Sequence, residues 1–233
     1  SDEEKKKGVI ACSAGNHAQG VALAATKNGI KSLICLPDSA PISKVEATKG
    51  FGAEVCLVEG CYDDAYQKAL ELKEKEGYTF VHPFDDENVI AGQGTIALEI
   101  LNDLDNIDAI VVPVGGGGLI SGIAYTAKHI RPSIKIYGVQ AAGAPSMHNS
   151  VQKGEIACLP SVSTIADGIA VKKPGENTYA LVNEYVDEIA LVSDDEIASA
   201  ILALIEKQKM IAEGAGAAAV AAVMTGKFDL KGK

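Results

Sequence analysis

Short apolar runs alternate with amphipathic stretches along most of the chain. Residues 8–12, 31–36, 54–58 and 79–82 read as strands of about five residues. Between them, residues 16–28, 43–49 and 63–76 place apolar side chains at helical spacing, with Gly50 and Gly77 at two of the helix ends. Short buried runs separated by helices are the pattern of βαβ units with right-handed crossovers. Pro83 interrupts the pattern, and Asp85, Asp86 and Glu87 open a new helix with acid at its positive end. A domain boundary is expected here, giving one α/β domain over residues 1–84 and a second over 85–233.

The second part reads as helix 87–101, strand 109–114, a glycine run, helix 119–130, strand 134–140 and helix 146–153. Residues 154–175 look irregular. A helix over 177–184, a strand over 188–192 and a helix from 194 to about 209 follow. Ser193 with Glu196 three residues on makes a capping box for the last of these. An Ala-rich helix over 216–224 ends the pattern at Gly226. Both ends read as cut: a further strand is expected after Lys233.

Charge and composition narrow the function. Of 233 residues, 21 are basic and 31 acidic, a net charge of −10 with no basic footprint for nucleic acid. The triplet Lys5, Lys6 and Lys7 follows three acidic residues and reads as a solvated helix face. No apolar run approaches the length of a membrane span, and no signal peptide precedes the first strand. Five cysteines, without metal or redox spacing, read as reduced packing residues of a cytoplasmic protein.

Two segments carry candidate chemistry. Gly115, Gly116, Gly117 and Gly118, then Leu119, follow a strand and open a helix. Four glycines let the backbone approach an anion, and successive N–H groups at a helix start suit a phosphate. A tight turn that binds nothing is the alternative. The run is neither a dinucleotide fingerprint nor a Walker A loop. Gly214, Gly216 and Ala219 fit the dinucleotide pattern by letter, but they follow a helix and read as packing residues. The second segment, Ser13, Ala14, Gly15, Asn16, His17, Ala18, Gln19 and Gly20, lies at a strand end and starts a helix. It suits a carboxylate; an ordinary N-cap by Ser13 or Asn16 explains it as well. His82, His129 and His148 are expected to have no chemical role, the last two as helix-surface residues.

These segments occur in order with five others: Ala40-Pro41-Ile42-Ser43-Lys44-Val45, His82-Pro83-Phe84-Asp85-Asp86, Ala91-Gly92-Gln93-Gly94-Thr95, Ala166-Asp167-Gly168-Ile169-Ala170-Val171 and Glu213-Gly214-Ala215-Gly216-Ala217. Together they resemble the serine/threonine dehydratases, fold-type II enzymes that use pyridoxal 5'-phosphate (PLP). The resemblance runs from Ser1 to about Phe228. It implies an α/β, tryptophan synthase β-like fold with two doubly wound parallel-sheet domains, the large one incomplete. It assigns Gly115, Gly116, Gly117, Gly118 and Leu119 to the cofactor phosphate and Asn16 to the ring hydroxyl. Gly168 borders the cofactor and Glu213 lies beside the ring. Ser13, Ala14, Gly15 and His17 take the substrate carboxylate.

The implied reaction is α,β-elimination of threonine or serine, giving 2-oxobutanoate and ammonia from threonine. It belongs to isoleucine biosynthesis or threonine catabolism in a cytoplasmic homo-oligomer. Related serine racemases carry a second serine where this chain has Ala14, so elimination is favoured over racemisation. Metal-dependent relatives carry a glutamate ligand where this chain has Gln140, so no divalent metal is expected at that site, while a monovalent cation there stays open. The family's Schiff-base lysine lies in a Lys-x-Arg-Gly-Ala stretch, which this sequence lacks. The chain is therefore expected to bind and not to turn over, and a non-catalytic PLP-binding module of the same fold is the alternative reading.

Overall fold

The computed structural model describes residues 1–232. Lys233, the last residue of the second expected domain, lies outside them. The chain forms two compact units, Ser1–Pro83 and Phe84–Lys233.

In the first unit a short helix, α1 (Asp2–Lys7), is capped by Ser1 and buries no residue, so its lysines are solvated. Strands β1 (Val9–Cys12), β2 (Ser32–Pro37), β3 (Glu54–Val58) and β4 (Thr79–Phe80) pair in parallel in the order β3-β2-β1-β4. Helices α2 (Asn16–Lys27), α3 (Ile42–Gly50) and α4 (Tyr62–Glu76) connect them. Alternate strand residues face opposite sides of a sheet. Ala11, Ile34 and Leu36 thus pack with Ala18 and Ala22 of α2 and Val45 of α3. Ile10, Cys12 and Cys35 pack with Ala65 and Ala69 of α4. Both faces are covered, which is what a parallel sheet requires. Cys12, Cys35 and Cys56 lie side by side in register. Burial pushes the Cys12 and Cys35 thiols up to about 12, so they pack as neutral, small apolar groups.

In the second unit β5 (Ala109–Pro113), β6 (Lys135–Ala141) and β7 (Glu188–Val192) pair in parallel in the order β5-β6-β7. The helices are α5 (Glu87–Asp103), α6 (Gly118–Ile130), α7 (Ser146–Lys153), α8 (Glu176–Tyr185), α9 (Asp194–Ala203) and α10 (Gly214–Met224). Tyr137, Val139 and Ala141 of β6 face a core with α9 and α10, while Ile136 faces a core with α5, α6 and α8. The segment read as irregular contains a 3-10 turn, Asp167–Ile169. The expected helix over 194–209 is α-helical only to Ala203; it widens into a π turn over Leu204–Gln208 and closes on Lys209 at φ 57°. The last helix starts two residues earlier than its periodicity indicates, at Gly214.

Asp187 ties three elements of this unit together. Its carboxylate accepts from Lys128 Nζ at 2.7 Å, from Lys135 Nζ at 2.7 Å and from the Ile136 N–H at 2.9 Å. Burial alone pushes its pKa up; the Ile136 N–H and the two lysines overcome this and hold it at about 2. A folded pKa below the unfolded value of about 3.9 stabilises the fold above that value, and the stabilisation is lost as pH falls toward 2. Asp187→Asn is expected to cost about 1–2 kcal/mol at pH 7. The gap between its urea midpoint and the parent's should stay constant from pH 8 to 5 and close below pH 4. A gap that persists at the acid end would show that the charge is not what stabilises.

Candidate functional site

The glycine loop connects β5 to α6. Val114 N–H donates to Val139 O at 2.8 Å, holding the loop's entry beside β6. A Cβ built on Gly116 would overlap the Phe84 ring, and one on Gly118 would lie 2.9 Å from Phe84 Cα. At Gly117, where φ is +102°, it would lie 2.6 Å from Met147 Cε and 2.8 Å from Thr178 Cβ. At Gly115 it would lie 3.1 Å from Ile169 Cα. The space freed by the four glycines is thus filled by protein. This corrects the reason for the run: the missing Cβ atoms admit Phe84, Met147 and Thr178, whereas the anion argument rests on the backbone polarity.

That polarity is arranged as follows. Gly116 O accepts from Thr178 Oγ1 at 2.7 Å and from Gly175 N–H at 3.4 Å. Gly117 O accepts from Ser121 N–H at 3.0 Å, the first bond of α6. The carbonyls of Gly116 and Gly117 are therefore committed to α8 and α6. The N–H groups of Gly118, Leu119 and Ile120 precede the first helical bond and have no acceptor within the helix. With the helix dipole behind them they are candidates to receive an anion.

Two other residues expected around the cofactor lie near this loop. The 3-10 turn that carries Gly168 approaches Gly115 through Ile169. A Cβ on Gly168 would lie 3.1 Å from Ala215 Cβ in the first turn of α10, and Gly214 packs on Ala166 with Cβ room of only 3.0 Å to its Cα. Glu213 is the N-cap residue of α10, with its carbonyl accepting from Ala217 N–H. Gly115, Gly168 and Glu213 are thus gathered around one turn of the second unit.

In the first unit the second segment forms the β1–α2 connection. Gly15, not Ser13 or Asn16, is the N-cap of α2, and no side chain caps the helix. Ser13 Oγ accepts from Gly15 N–H at 3.2 Å within the loop. The ordinary N-cap alternative does not hold, because the capping position is Gly15 and the Ser13 hydroxyl is turned onto its own loop. His17 Nε2 lies 3.1 Å from Val81 O, which can only accept, so Nε2 carries the proton. Burial lowers the His17 pKa, with the Val81 bond opposing in part. The ring is a neutral strut between α2 and the end of β4, so it offers a carboxylate no positive charge.

Several supporting residues are not apparent from the sequence. Asp85 Oδ2 accepts from Glu176 N–H at 3.0 Å and Oδ1 from Thr178 N–H at 3.1 Å, across 91 and 93 residues. Its neighbour Asp86 is the side-chain cap of α5, accepting from Asn88 and Val89 N–H. The acidic run signals a helix start, but nothing in it says that the first acid serves a different helix. His148, expected on a helix surface, is half-buried, and its N–H is used by Gln140. His129 is exposed against Tyr125, and His82 sits against the rings of Tyr66 and Phe80.

The chain is 54% identical over 233 residues to the L-threonine ammonia-lyase of Thermotoga maritima, matching 100% of this chain and 58% of that protein. It is 50% identical over 229 residues to the catabolic L-threonine dehydratase of Escherichia coli K12, matching 98% of this chain and 70% of that protein. Among solved structures, the processed form of threonine deaminase isoform 2 from Solanum lycopersicum superposes with a TM-score of 0.92 at 46% identity, over 95% of this chain and 64% of that one. Maize serine racemase superposes with a TM-score of 0.95 at 39% identity, over 99% of this chain and 70% of that one. The chain thus spans less than two thirds of the Thermotoga protein. The profile described as "Pyridoxal-phosphate dependent enzyme" matches residues 1–233, and the chain belongs to that family.

Proposed function

We propose that this chain is the binding core of a threonine and serine ammonia-lyase, and that by itself it turns nothing over. The observation that carries the reading is the β5–α6 loop, whose Gly116 and Gly117 carbonyls are committed elsewhere while the N–H groups at the head of α6 are left for an anion. A phosphate ester fits this donor set. When bound, PLP supplies an electron-withdrawing ring that stabilises negative charge at the amino acid's Cα.

The roles of this chain's residues follow. Gly115, Gly116, Gly117, Gly118 and Leu119 hold the phosphate through backbone N–H groups. Gly168 keeps the turn beside that loop free of side-chain bulk, and Glu213 presents its carboxylate at the head of α10. Asn16 takes the cofactor's ring hydroxyl. Ser13, Ala14, Gly15 and His17 take the amino-acid carboxylate, with His17 acting through its backbone because its ring is bound to Val81. Ala14 has no proton to give, which favours elimination over racemisation. No lysine stands in a Lys-x-Arg-Gly-Ala context, so nothing here removes the Cα proton. Elimination of threonine to 2-oxobutanoate and ammonia is then the activity of a longer protein that contains such a lysine.

The five free cysteines suit a reducing, cytoplasmic setting. Ile211 and Met210, 88% and 57% exposed, suit a homo-oligomer that buries further apolar surface. Among the described residues no helix is long and apolar enough to cross a membrane.

Calorimetry with pyridoxine 5'-phosphate tests the site, since this analogue lacks the aldehyde that labels surface lysines. Saturable binding that inorganic phosphate displaces is expected. Uptake indifferent to phosphate, or none, sinks the loop assignment. In a separate assay with PLP and threonine, no steady 2-oxobutanoate should appear; sustained production would overturn the no-turnover claim.

A further inference from the structure

Among the described residues, the buried side-chain atoms without a hydrogen-bond partner are Ser32 Oγ, Gln140 Nε2 and Ser146 Oγ. The last two belong to one place, the join between β6 and α7. Gln140 is 0% exposed in β6, and Ser146, also 0% exposed, is the first residue of α7. The N-cap of α7 is Pro145, which has no capping side chain. Gln140 does the capping from β6: its Oε1 accepts from His148 N–H at 2.7 Å.

This bond fixes which way the amide points. Flipped, the amide would set an NH2 against an N–H. Nε2 is therefore aimed away from His148, into the interior, as a donor. An unmet buried donor costs about 1–3 kcal/mol. What satisfies it must accept hydrogen bonds, and a cation does not. A buried anion would need a countercharge, and Gln140 and Ser146 are both neutral.

We propose that the head of α7 holds an internal water that accepts from Gln140 Nε2 and bonds Ser146 Oγ, and that this place binds no metal ion, divalent or monovalent. Internal waters occupy polar sites of this kind, with two to four partners. A glutamate at position 140 would keep the bond to His148 and put an anionic oxygen where Nε2 lies. One atom thus decides between water and cation. The water also braces the cofactor loop, because Met147 on the same turn of α7 fills the space beside Gly117.

Thermal unfolding of this chain in chelator, then with Mg2+, Mn2+, Ca2+ or K+ at matched ionic strength, tests the proposal. The parent's midpoint should move by less than about 1 °C, and manganese paramagnetic resonance should detect no site. Gln140→Glu should gain a saturable rise of roughly 5–10 °C at a hundredfold excess of Mn2+ or Mg2+ over its dissociation constant. A saturable rise or a manganese site in the parent, lost in Ser146→Ala, overturns the proposal, whether or not Gln140→Glu folds. A folded Gln140→Glu with no metal response overturns the claim that Nε2 stands in a ligand position. A crystal structure grown with Mn2+ should place a water about 3 Å from Nε2; an anomalous manganese peak there, or no density, overturns it too.

Discussion

Gly122→Val is expected to destabilise the second unit by about 3 kcal/mol or more, whereas Gly92→Ala should leave it unchanged or stabilise it by about 0.5–1 kcal/mol. Both glycines lie inside helices, and local propensity treats them alike. Their surroundings separate them. Gly122, in α6, faces α5 so closely that a Cβ would overlap Ile90 O and lie 2.6 Å from Gly94 N. Those are backbone atoms, which cannot swing aside as a flexible side chain can. Gly94 answers from α5, with Cβ room of only 3.1 Å to Gly122 O. Gly92, two residues earlier, is exposed and has nothing within 4 Å.

The cost at Gly122 reaches the site because α6 carries the glycine loop at its head. Forcing the two helices apart moves the N–H groups of Gly118, Leu119 and Ile120 with them. A thermal shift of roughly 6–12 °C is expected, together with loss of pyridoxine 5'-phosphate binding. Hydrogen exchange confined to α5 and α6 distinguishes this from a change elsewhere. A Gly122→Val protein that melts with the parent would show that the helices can separate at little cost.

Periodicity locates these helices and the strands between them because it reports which face of each element is buried. β6 is legible in this way: Tyr137, Val139 and Ala141 alternate with Ile136 and Gly138. The place of the glycine loop is legible too, since four glycines between an apolar strand and a helix have few uses. What the pattern does not contain is the partner of each polar group. The glycines read as room for a ligand, yet Phe84, Met147 and Thr178 occupy that room, from positions 30 or more residues away. The carboxylate of Asp85 caps α8 and not α5, the next helix in sequence, and the amide of Gln140 caps α7 from within the preceding strand. Long-range capping leaves no local signature. The π turn over Leu204–Gln208 departs from a helix that the capping box at Ser193 starts correctly, because helix starts have strong sequence signals and helix widenings have none.

Asp85→Ala is the second large effect, and it tests whether a long-range cap positions the phosphate loop. The carboxylate accepts two N–H groups at the head of α8, and charge-assisted caps of this kind are worth about 1–3 kcal/mol. The same turn of α8 holds Gly116 O through Thr178 Oγ1. Removing the carboxylate frees that turn, and the loop loses the bonds that commit its carbonyl. Stability should fall by about 2–3 kcal/mol. In protein still folded, affinity for pyridoxine 5'-phosphate should fall roughly tenfold, equivalent to about 1.4 kcal/mol. Asp85→Asn keeps an acceptor and should recover part of both losses. Gly175→Ala reaches the same end without touching a charge, since its Cβ would take the space of the Asp85 carboxylate. A purely structural role would lower the melting temperature of all three variants and leave the dissociation constant of the folded protein at the parent's value. A positioning role moves both, in the order Asp85→Ala, then Gly175→Ala, then Asp85→Asn, because each step leaves more of the cap in place.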